Sequence, residues 1–459
     1  MLFHTWDFVI FFTIVMGIYS LIRKTRFRIP FLWIVSYIFY GWWDFRFLLL
    51  IFISSTTDYF CGRGIAGGKG RKFWLILSLL VNLGMLCYFK YMGFLTENLH
   101  WLFEVTHIPL TIPETNILLP VGISFFTFQS MSYTIDVYLG HMRVEKKYIN
   151  YLAFVSLFPQ LVAGPIERAS ELLPQLRHTP VIRKQDVSDG ISLFLTGLFK
   201  KAIMADFLAI YVDNVYLDPS SQSGLALVIA TFFFAWQIYF DFSGYSDMAR
   251  GIARIMGIRL MLNFNNPYTA VDVRDFWRRW HISLSSWFRD YVYIPLGGNR
   301  GIKIHVWWNV FFTMLVSGFW HGAAWTFVIW GALNGLGSIV SMQFDKSDWY
   351  GKIPKIVKQI LTFVFICFTW IFFRAKSFGD AVTIIRRIGK WAVGEEATLI
   401  PLIPLALVGA IWIYQLIFNS RFRNILAYRF VRVGLLAAAV IVFLIFSSTA
   451  NTQFIYFQF

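Results

Sequence analysis

Two histidines stand where charge is scarce. His321 sits in VSGFWHGAAWTF, residues 316–327, inside a run from Val306 to Phe344 with no Asp, Glu, Lys or Arg. His281 sits in FWRRWHISLSSWF, residues 276–288. An imidazole is the side chain best suited to take a proton from a hydroxyl near neutral pH. A second imidazole, or an amide, can hold the tautomer of the first or stabilise a developing oxyanion. Either ring alone also fits a buried histidine bonded to a carbonyl. Two of them in aromatic, charge-poor settings point to a shared polar cavity, because ionisable groups at membrane depth are expensive and mark functional sites. Gly318 and Gly322 flank His321 and permit a sharp turn or the close approach of a ligand. Trp320 and Trp325 either line a channel or pack.

Other motifs carry less chemistry. DFSGYSD, residues 241–247, offers Asp241, Ser243, Tyr245 and Asp247. It fails as a calcium loop, since its glycine comes too early and Ile252 stands where a bidentate Glu belongs. Its plain reading is a helix-end cap. NFNNPY, residues 263–268, is a turn by its Asn-Pro chemistry, with Asn266 before the proline. Trp277, Asp241, Tyr245 and Asn266 are further candidates to line a passage. The chain contains no Gly-x-Ser-x-Gly elbow, Walker loop or His-Glu-x-x-His motif, and no metal site is expected. Cys61, Cys87 and Cys367 lie in or beside apolar runs without ligand spacing and read as reduced, buried and small.

The elements that position these residues follow from composition. Hydrophobic residues make up 57% and charged ones 14%, against about 25% charged in ordinary domains. Apolar blocks long enough to cross a bilayer recur along the chain, and they are continuous instead of alternating, which excludes an outer-membrane barrel. The class is therefore an all-α polytopic membrane protein, since helices satisfy their own backbone in lipid. The net charge of +16 sits mostly between apolar blocks. That is the pattern of cytoplasmic loops, and no nucleic-acid partner is expected. The first block, Phe8–Ile22, has its cations after it, unlike a signal peptide, so it reads as a retained span with the N-terminus outside. Segments 31–43, 47–60, 73–91 and 118–139 then alternate in agreement with the charge rule, with the acidic loop 92–117 outside.

The middle is less regular. Segment 151–164 is short and holds two prolines, so a re-entrant or interfacial segment fits better than a span. Residues 165–189 read as a cytoplasmic excursion. Lys200 and Lys201 interrupt the apolar run 190–217, where the helix should break or lie at the interface. Residues 225–240 form a span. Segment 272–292 reads as one interfacial amphipathic helix, with Trp277, His281, Leu284 and Phe288 on one face and Arg278, Arg279 and Arg289 directed toward phosphate. Two spans with a turn at 318–322 fill 306–344, and further spans are expected near 356–373, 399–418 and 431–450. That count leaves the basic loop 374–398 outside, against the charge rule, unless an in-plane helix occupies 380–391 or a span is miscounted.

The residues alone thus define a histidine-bearing site buried in a helical membrane bundle with a cationic face. Both acyl transfer and anion transport fit it. FWRRWHISLSSWFRDYVYIPLGGNR, GFWHGAAWTFVIWGALNG, YFDFSGYSDMARG and FPQLVAGPIER add a further signal. These motifs resemble the membrane-bound O-acyltransferase family, in the bacterial branch that acetylates exported polysaccharides such as alginate and peptidoglycan; teichoic acid D-alanyl transferases are more distant. The similarity runs from about residue 30 to 345 and includes the FIYFQF ending.

The resemblance implies one transmembrane domain over 1–459, with a signature core at about 118–345. It implies roughly ten or more spans, with re-entrant or interfacial helices, around a central tunnel in the cytoplasmic membrane. It makes His321 the catalytic histidine, as general base or transient acyl acceptor, and His281 its companion. Gly318, Trp320 and Gly322 would shape the passage. Arg278, Arg279 and Arg289 would meet the donor's phosphates or an acidic carrier protein. The donor it implies is acetyl-coenzyme A, with an acyl-carrier thioester as the alternative, and no permanently bound cofactor. The acceptor would be an extracytoplasmic polysaccharide hydroxyl, reached through an esterase-like partner transferase. Such a base needs a wet passage open to both compartments.

Overall fold

The computed structural model describes residues 1–110, 113, 117–345, 347–394, 400–431, 433–435, 437 and 441. Among the described residues every regular element is helical, and four helical segments are long and apolar enough to cross a membrane: Arg71–Val105, Gly224–Ile255, Trp325–Phe344 and Lys355–Arg374. The expected span 431–450 falls largely, and the C-terminal NTQFIYFQF wholly, outside the described residues. The chain divides into two compact units, residues 1–195 with 245–262 and residues 196–244 with 263–459.

The first unit contains α1 (Trp6–Ile22), α2 (Arg28–Gly41), α3 (Leu48–Ala66), α4 (Arg71–Leu86), α5 (Met92–Val105), α6 (Ile123–Leu139), α7 (Tyr148–Ser156), α8 (Phe158–Leu161), α9 (Ala169–Arg177) and most of α10 (Lys184–Phe199). Thr5 starts α1 by accepting the Phe8 N–H at 3.4 Å, a side-chain cap on an otherwise unsatisfied donor. A polar knot binds α3, α4 and α6 together. The fully buried Asp58 accepts from Ser78 Oγ at 2.5 Å and Asn82 Nδ2 at 2.9 Å, and Ser78 also meets Thr134 at 2.8 Å. Residues 92–105, expected as outer loop, are helical and continue α4 through a π-helical turn at Cys87–Tyr91. The short apolar segment 151–164 forms the end of α7 and α8, two brief buried helices instead of a span, with Pro159 in the first turn where its missing N–H costs nothing.

The second unit contains the end of α10, α11 (Asp206–Leu217), most of α12 (Gly224–Ile255), α13 (Val273–Arg279), α14 (Ile282–Phe288), α15 (Lys303–His321), α16 (Trp325–Phe344), α17 (Asp348–Lys352), α18 (Lys355–Arg374), α19 (Phe378–Gly389) and α20 (Leu402–Phe418). Three expectations need correction here. The two lysines do not break the helix at 200; a π-helical turn at Lys200–Ala205 carries α10 into α11. DFSGYSD caps nothing and lies inside the 32-residue α12. The segment 272–292 is not one helix but two of seven residues, followed by a π-helical turn at Arg289–Tyr293, so helical spacing does not place Trp277 and His281 on one face. Segment 306–344 forms two helices as expected, with the turn at 322–324, and a helix also lies at 378–389. Cys61 is buried, Cys367 half-buried and Cys87 exposed, the last against expectation; all three are free thiols.

Candidate functional site

His321 is the last residue of α15. Gly322 then takes an extended conformation and Ala324 precedes α16, so the helix ends on the imidazole. The two helices form a hairpin of unusually close backbones. A Cβ added at Gly318 would lie 2.4 Å from the Phe327 carbonyl oxygen, and one at Gly331 would lie 2.5 Å from that of Met314. Small residues at a helix contact permit this approach within a membrane. A Cβ at Gly322 would sit 2.1 Å from the Phe327 ring, so protein atoms fill the space beside both flanking glycines.

His281 is reached differently. It joins α13 to α14 with φ +43° and ψ +55°, a left-handed conformation that costs a residue with a Cβ about 1–2 kcal/mol. The preceding turn holds it there. Asn263 O accepts from Ile282 N–H at 2.9 Å, Asn263 Oδ1 accepts from Ser283 Oγ at 2.9 Å, and Arg279 O accepts from Asn265 N–H at 2.9 Å. NFNNPY is thus a turn, as its sequence indicates, and also the clamp on His281. Its Asn266 is left-handed too and accepts from Thr269 through its carbonyl.

These two routes bring the imidazoles together, with ring centroids 6.5 Å apart. Aromatic rings enclose the pair. Trp320 and Trp330 each lie 5.0 Å from His321 and Phe373 lies 5.5 Å away, while Phe242 meets His281 edge-on at 4.7 Å. His321 keeps 3% of its surface exposed and His281 none. Burial pushes the His281 imidazole from its ordinary 6.5 to about 3, so this link between two short helices holds a neutral ring. The enclosing shell contains buried polar atoms without a hydrogen-bond partner among the described residues: Nε1 of Trp277, Trp330 and Trp370, and Oδ1 of Asn334. A buried polar atom left unsatisfied costs about 1–3 kcal/mol.

A cavity of about 340 Å³ adjoins this shell. Trp277, Phe288 and Ser317 form part of its wall, and neither histidine does. Trp277 packs on Trp330 at 5.5 Å and Phe288 on Trp320 at 6.4 Å, so the aromatic shell divides the cavity from the imidazoles. Arg274, Arg278 and Arg289 also line the cavity. Arg278 is exposed and makes no ion pair among the described residues, whereas Arg289 pairs with Asp290 at 2.8 Å. Arg279 is turned to Asp275 at 2.8 Å and is not among the lining residues.

Two other candidates have different surroundings. Tyr245 belongs to the first unit and stacks on Phe3 at 4.6 Å. Asp241 sits 2.8 Å from Lys201 Nζ, which lies 2.8 Å from Asp206 as well. All three are at least nine-tenths buried. The sequence reading of these lysines, a helix break or an interfacial position, does not foresee this triad. The signal was present: a lysine inside an apolar run, five residues before an aspartate. Lys201 thereby fixes the α12 turn whose next residue, Phe242, abuts His281.

The two histidines of the resembling motifs thus lie together in one aromatic shell carried by apolar helices. The chain belongs to the membrane-bound O-acyltransferase family, whose model matches residues 77–379. It is thus an integral-membrane acyltransferase, and of the two chemistries the residues leave open, acyl transfer is the one the family carries. A probable alginate O-acetylase, AlgI, of Pseudomonas aeruginosa is 40% identical over 84% of this chain and 75% of its own length. A peptidoglycan O-acetyltransferase of Helicobacter pylori is 36% identical, over 78% of this chain and 73% of its own. A teichoic acid D-alanyltransferase of Bacillus subtilis is 29% identical, over 58% and 71%.

Proposed function

We propose that this enzyme transfers an acetyl group from acetyl-coenzyme A, across the cytoplasmic membrane of a bacterium, toward a hydroxyl of an extracytoplasmic polysaccharide, with His321 as the reacting group. The observation that carries this reading is the placement of His321 at a helix end, 6.5 Å from a neutral His281, inside a shell of aromatic rings. The chain would cross the membrane about ten times with its N-terminus outside, around a central passage. His321 takes the proton of the attacking hydroxyl as the new C–O bond forms. The thioester C–S bond breaks, and the proton passes to the departing thiolate. The C-terminal end of α15 carries the negative end of the helix dipole and so favours the imidazolium that forms in between. The alternative, in which His321 itself carries the acyl group for a moment, uses the same atoms in two steps. His281 acts as a positioning residue, and the Trp277 N–H is placed to donate to a thioester carbonyl entering from the cavity once that indole turns. Relatives named for alginate and peptidoglycan support a polysaccharide as acceptor. An extracytoplasmic esterase-like transferase would be the partner that delivers the acetyl group.

The test is His321→Ala in purified full-length protein supplied with labelled acetyl-coenzyme A. A general base of this kind typically contributes 10²–10⁴-fold, and the expected loss lies in that range while the variant still inserts and melts like the parent. Parental turnover in a folded His321→Ala protein overturns the proposal. The unpaired Arg278 at the cavity, together with the D-alanyltransferase relative, keeps an acyl-carrier protein as the second donor reading. Arg278→Glu with Arg289→Glu separates the two, since charge reversal raises KM for an acidic carrier far more than for a small thioester.

A further inference from the structure

The first unit holds a second cavity, of about 570 Å³, remote in character from the histidine site. Arg26, Arg28, Arg143, Lys146, Lys147 and Arg177 line it, against one carboxylate, Glu145. Loops that obey the positive-inside rule need only be basic. They need not converge on a concavity, and they need not be held still. Here they do both. Tyr59 Oη donates to Lys146 O at 2.8 Å, and Tyr133 Oη accepts from Glu145 N–H at 3.0 Å. Glu145 accepts from Lys147 N–H at 2.9 Å and from Arg177 Nε at 2.7 Å. Arg28 is 6% exposed and donates to the carbonyls of His178, at 2.7 Å, and Leu176.

Arg28 and Arg177 are therefore structural, and they fix the frame. Arg26, Arg143, Lys146 and Lys147 are different: all four are exposed and make no ion pair among the described residues, and Arg26 lies over the Phe27 ring. Two helices also begin at this cavity. Ile29 and Pro30 in the first turn of α2, and Ile149 and Asn150 in the first turn of α7, are part of its wall. Each helix start adds the positive end of a dipole. One carboxylate on the wall, itself engaged by Arg177, cannot balance these four cations and two helix starts.

We propose that this cavity binds a phosphate ester, held by Arg143, Lys146 and Lys147 over the starts of α2 and α7. A phosphate offers the charge and the several acceptor oxygens that match such a donor set, and the volume accommodates the ester's substituent as well, lying in the range of ordinary ligand sites. Two sources share this chemistry: the headgroup of an anionic phospholipid and the phosphates of a nucleotide. The inference goes beyond the acyltransferase reading and needs neither histidine.

The test uses the full-length protein and two probes, 3′,5′-adenosine bisphosphate added in neutral detergent and labelled phosphatidylglycerol in phosphatidylcholine vesicles. The triple variant Arg143→Gln, Lys146→Gln, Lys147→Gln is compared with a control that loses the same charge elsewhere, Lys69→Gln, Lys72→Gln, Lys303→Gln. The parent binds at least one probe in a salt-dependent manner, the triple variant binds it at least about tenfold more weakly, and the control stays within about twofold. Loss confined to phosphatidylglycerol assigns a lipid headgroup; loss confined to the bisphosphate, or shared by both probes, assigns a nucleotide phosphate or the common group. Equal binding by triple variant and parent, equal weakening in the control, or no binding of either probe by the parent overturns the inference. His321→Ala leaves all these affinities unchanged, so failure here and failure of the catalytic reading remain distinct.

Discussion

The buried centre of the second unit and the basic cavity of the first treat ionisable groups in opposite ways. At the centre, burial keeps His281 neutral and two aspartates clasp Lys201. In the first unit's cavity, Arg143, Lys146 and Lys147 are exposed and make no ion pair among the described residues. The difference follows from solvent. Where water is excluded, an isolated charge costs several kcal/mol and must neutralise or bring its counter-charge with it. Where water reaches, a cation can remain unpaired until a ligand arrives. The first arrangement suits a site that moves protons in a fixed geometry, and the second suits a site that retains an anion.

The sharpest way to break this contrast is at His281. Its left-handed backbone admits two explanations, a turn that any glycine would serve or a strained placement of the ring. His281→Gly removes the imidazole while relieving the backbone; His281→Ala removes the imidazole and keeps the strain, which favours glycine by about 1 kcal/mol. If the ring matters, both variants lose on the order of 10²-fold in kcat with little change in KM, and the glycine variant melts at or above the alanine variant. A glycine variant with parental kcat would reduce His281 to a turn residue. The buried ring also sets a pH dependence. Its folded value of about 3 lies below the ordinary 6.5, so the unfolded chain takes up a proton that the folded one refuses. Stability contributed by this group is full above pH 6.5 and falls as the pH drops toward 3. Both substitutions should flatten that acid slope in melting experiments.

The next effect is on stability and concerns the counter-charges. Lys201→Met leaves Asp206 and Asp241 buried without their cation and should cost about 3–5 kcal/mol, read as a lowered melting temperature in detergent. Replacing all three together, with Lys201→Met, Asp206→Leu and Asp241→Leu, should recover most of that loss, because an apolar trio of similar volume leaves no charge uncompensated. Activity discriminates further. If the triad positions His281 through Phe242, the triple variant regains stability without regaining kcat. Recovery of both would make the triad a packing device only.

Why some of this was legible in sequence and some not follows from the same physics. Composition reveals helices and membrane, because lipid leaves no other way to satisfy a backbone. The α15–α16 hairpin was readable from Gly318 and Gly322 within an uncharged run, and the NFNNPY turn from its Asn-Pro pair. Helical periodicity misled at 272–292, since it assumes continuity and one residue with positive φ, His281, destroys it. It misled again at DFSGYSD and at Lys200, where polar residues looked like helix ends. In α12 and the adjoining π-helical turn they are partners for one another across helices, which no local pattern records. The basic cavity was half visible: the loops at 23–28 and 141–147 read as charged, but their convergence depends on Tyr59, Tyr133 and Arg28, whose contacts lie far away in sequence.

Glu167 gives the smallest effect and tests the contrast from within the first unit. It lies in the link between α8 and α9, is 2% exposed, and accepts the Met261 N–H at 2.7 Å. Burial dominates and raises its carboxyl from 4.5 to about 7, while the Met261 N–H and the charges of Arg250 and Arg168 pull the other way. Between those values the folded chain holds a proton that the unfolded chain has released. Stability from this group is therefore full below pH 4.5 and declines as the pH rises through 7, the reverse of the His281 slope. Glu167→Gln keeps an oxygen for the Met261 N–H and removes the titration. The variant should come close to the parent at pH 5 and exceed it above pH 7, by up to about 3.5 kcal/mol, since one unit of displacement corresponds to about 1.4 kcal/mol. Melting curves in detergent between pH 5 and 8 read the difference. A gap of constant size across that range would mean that Glu167 is already charged in the folded protein. Solvent, not protonation, would then relieve this buried acid, and the contrast between the units would hold for their cations alone.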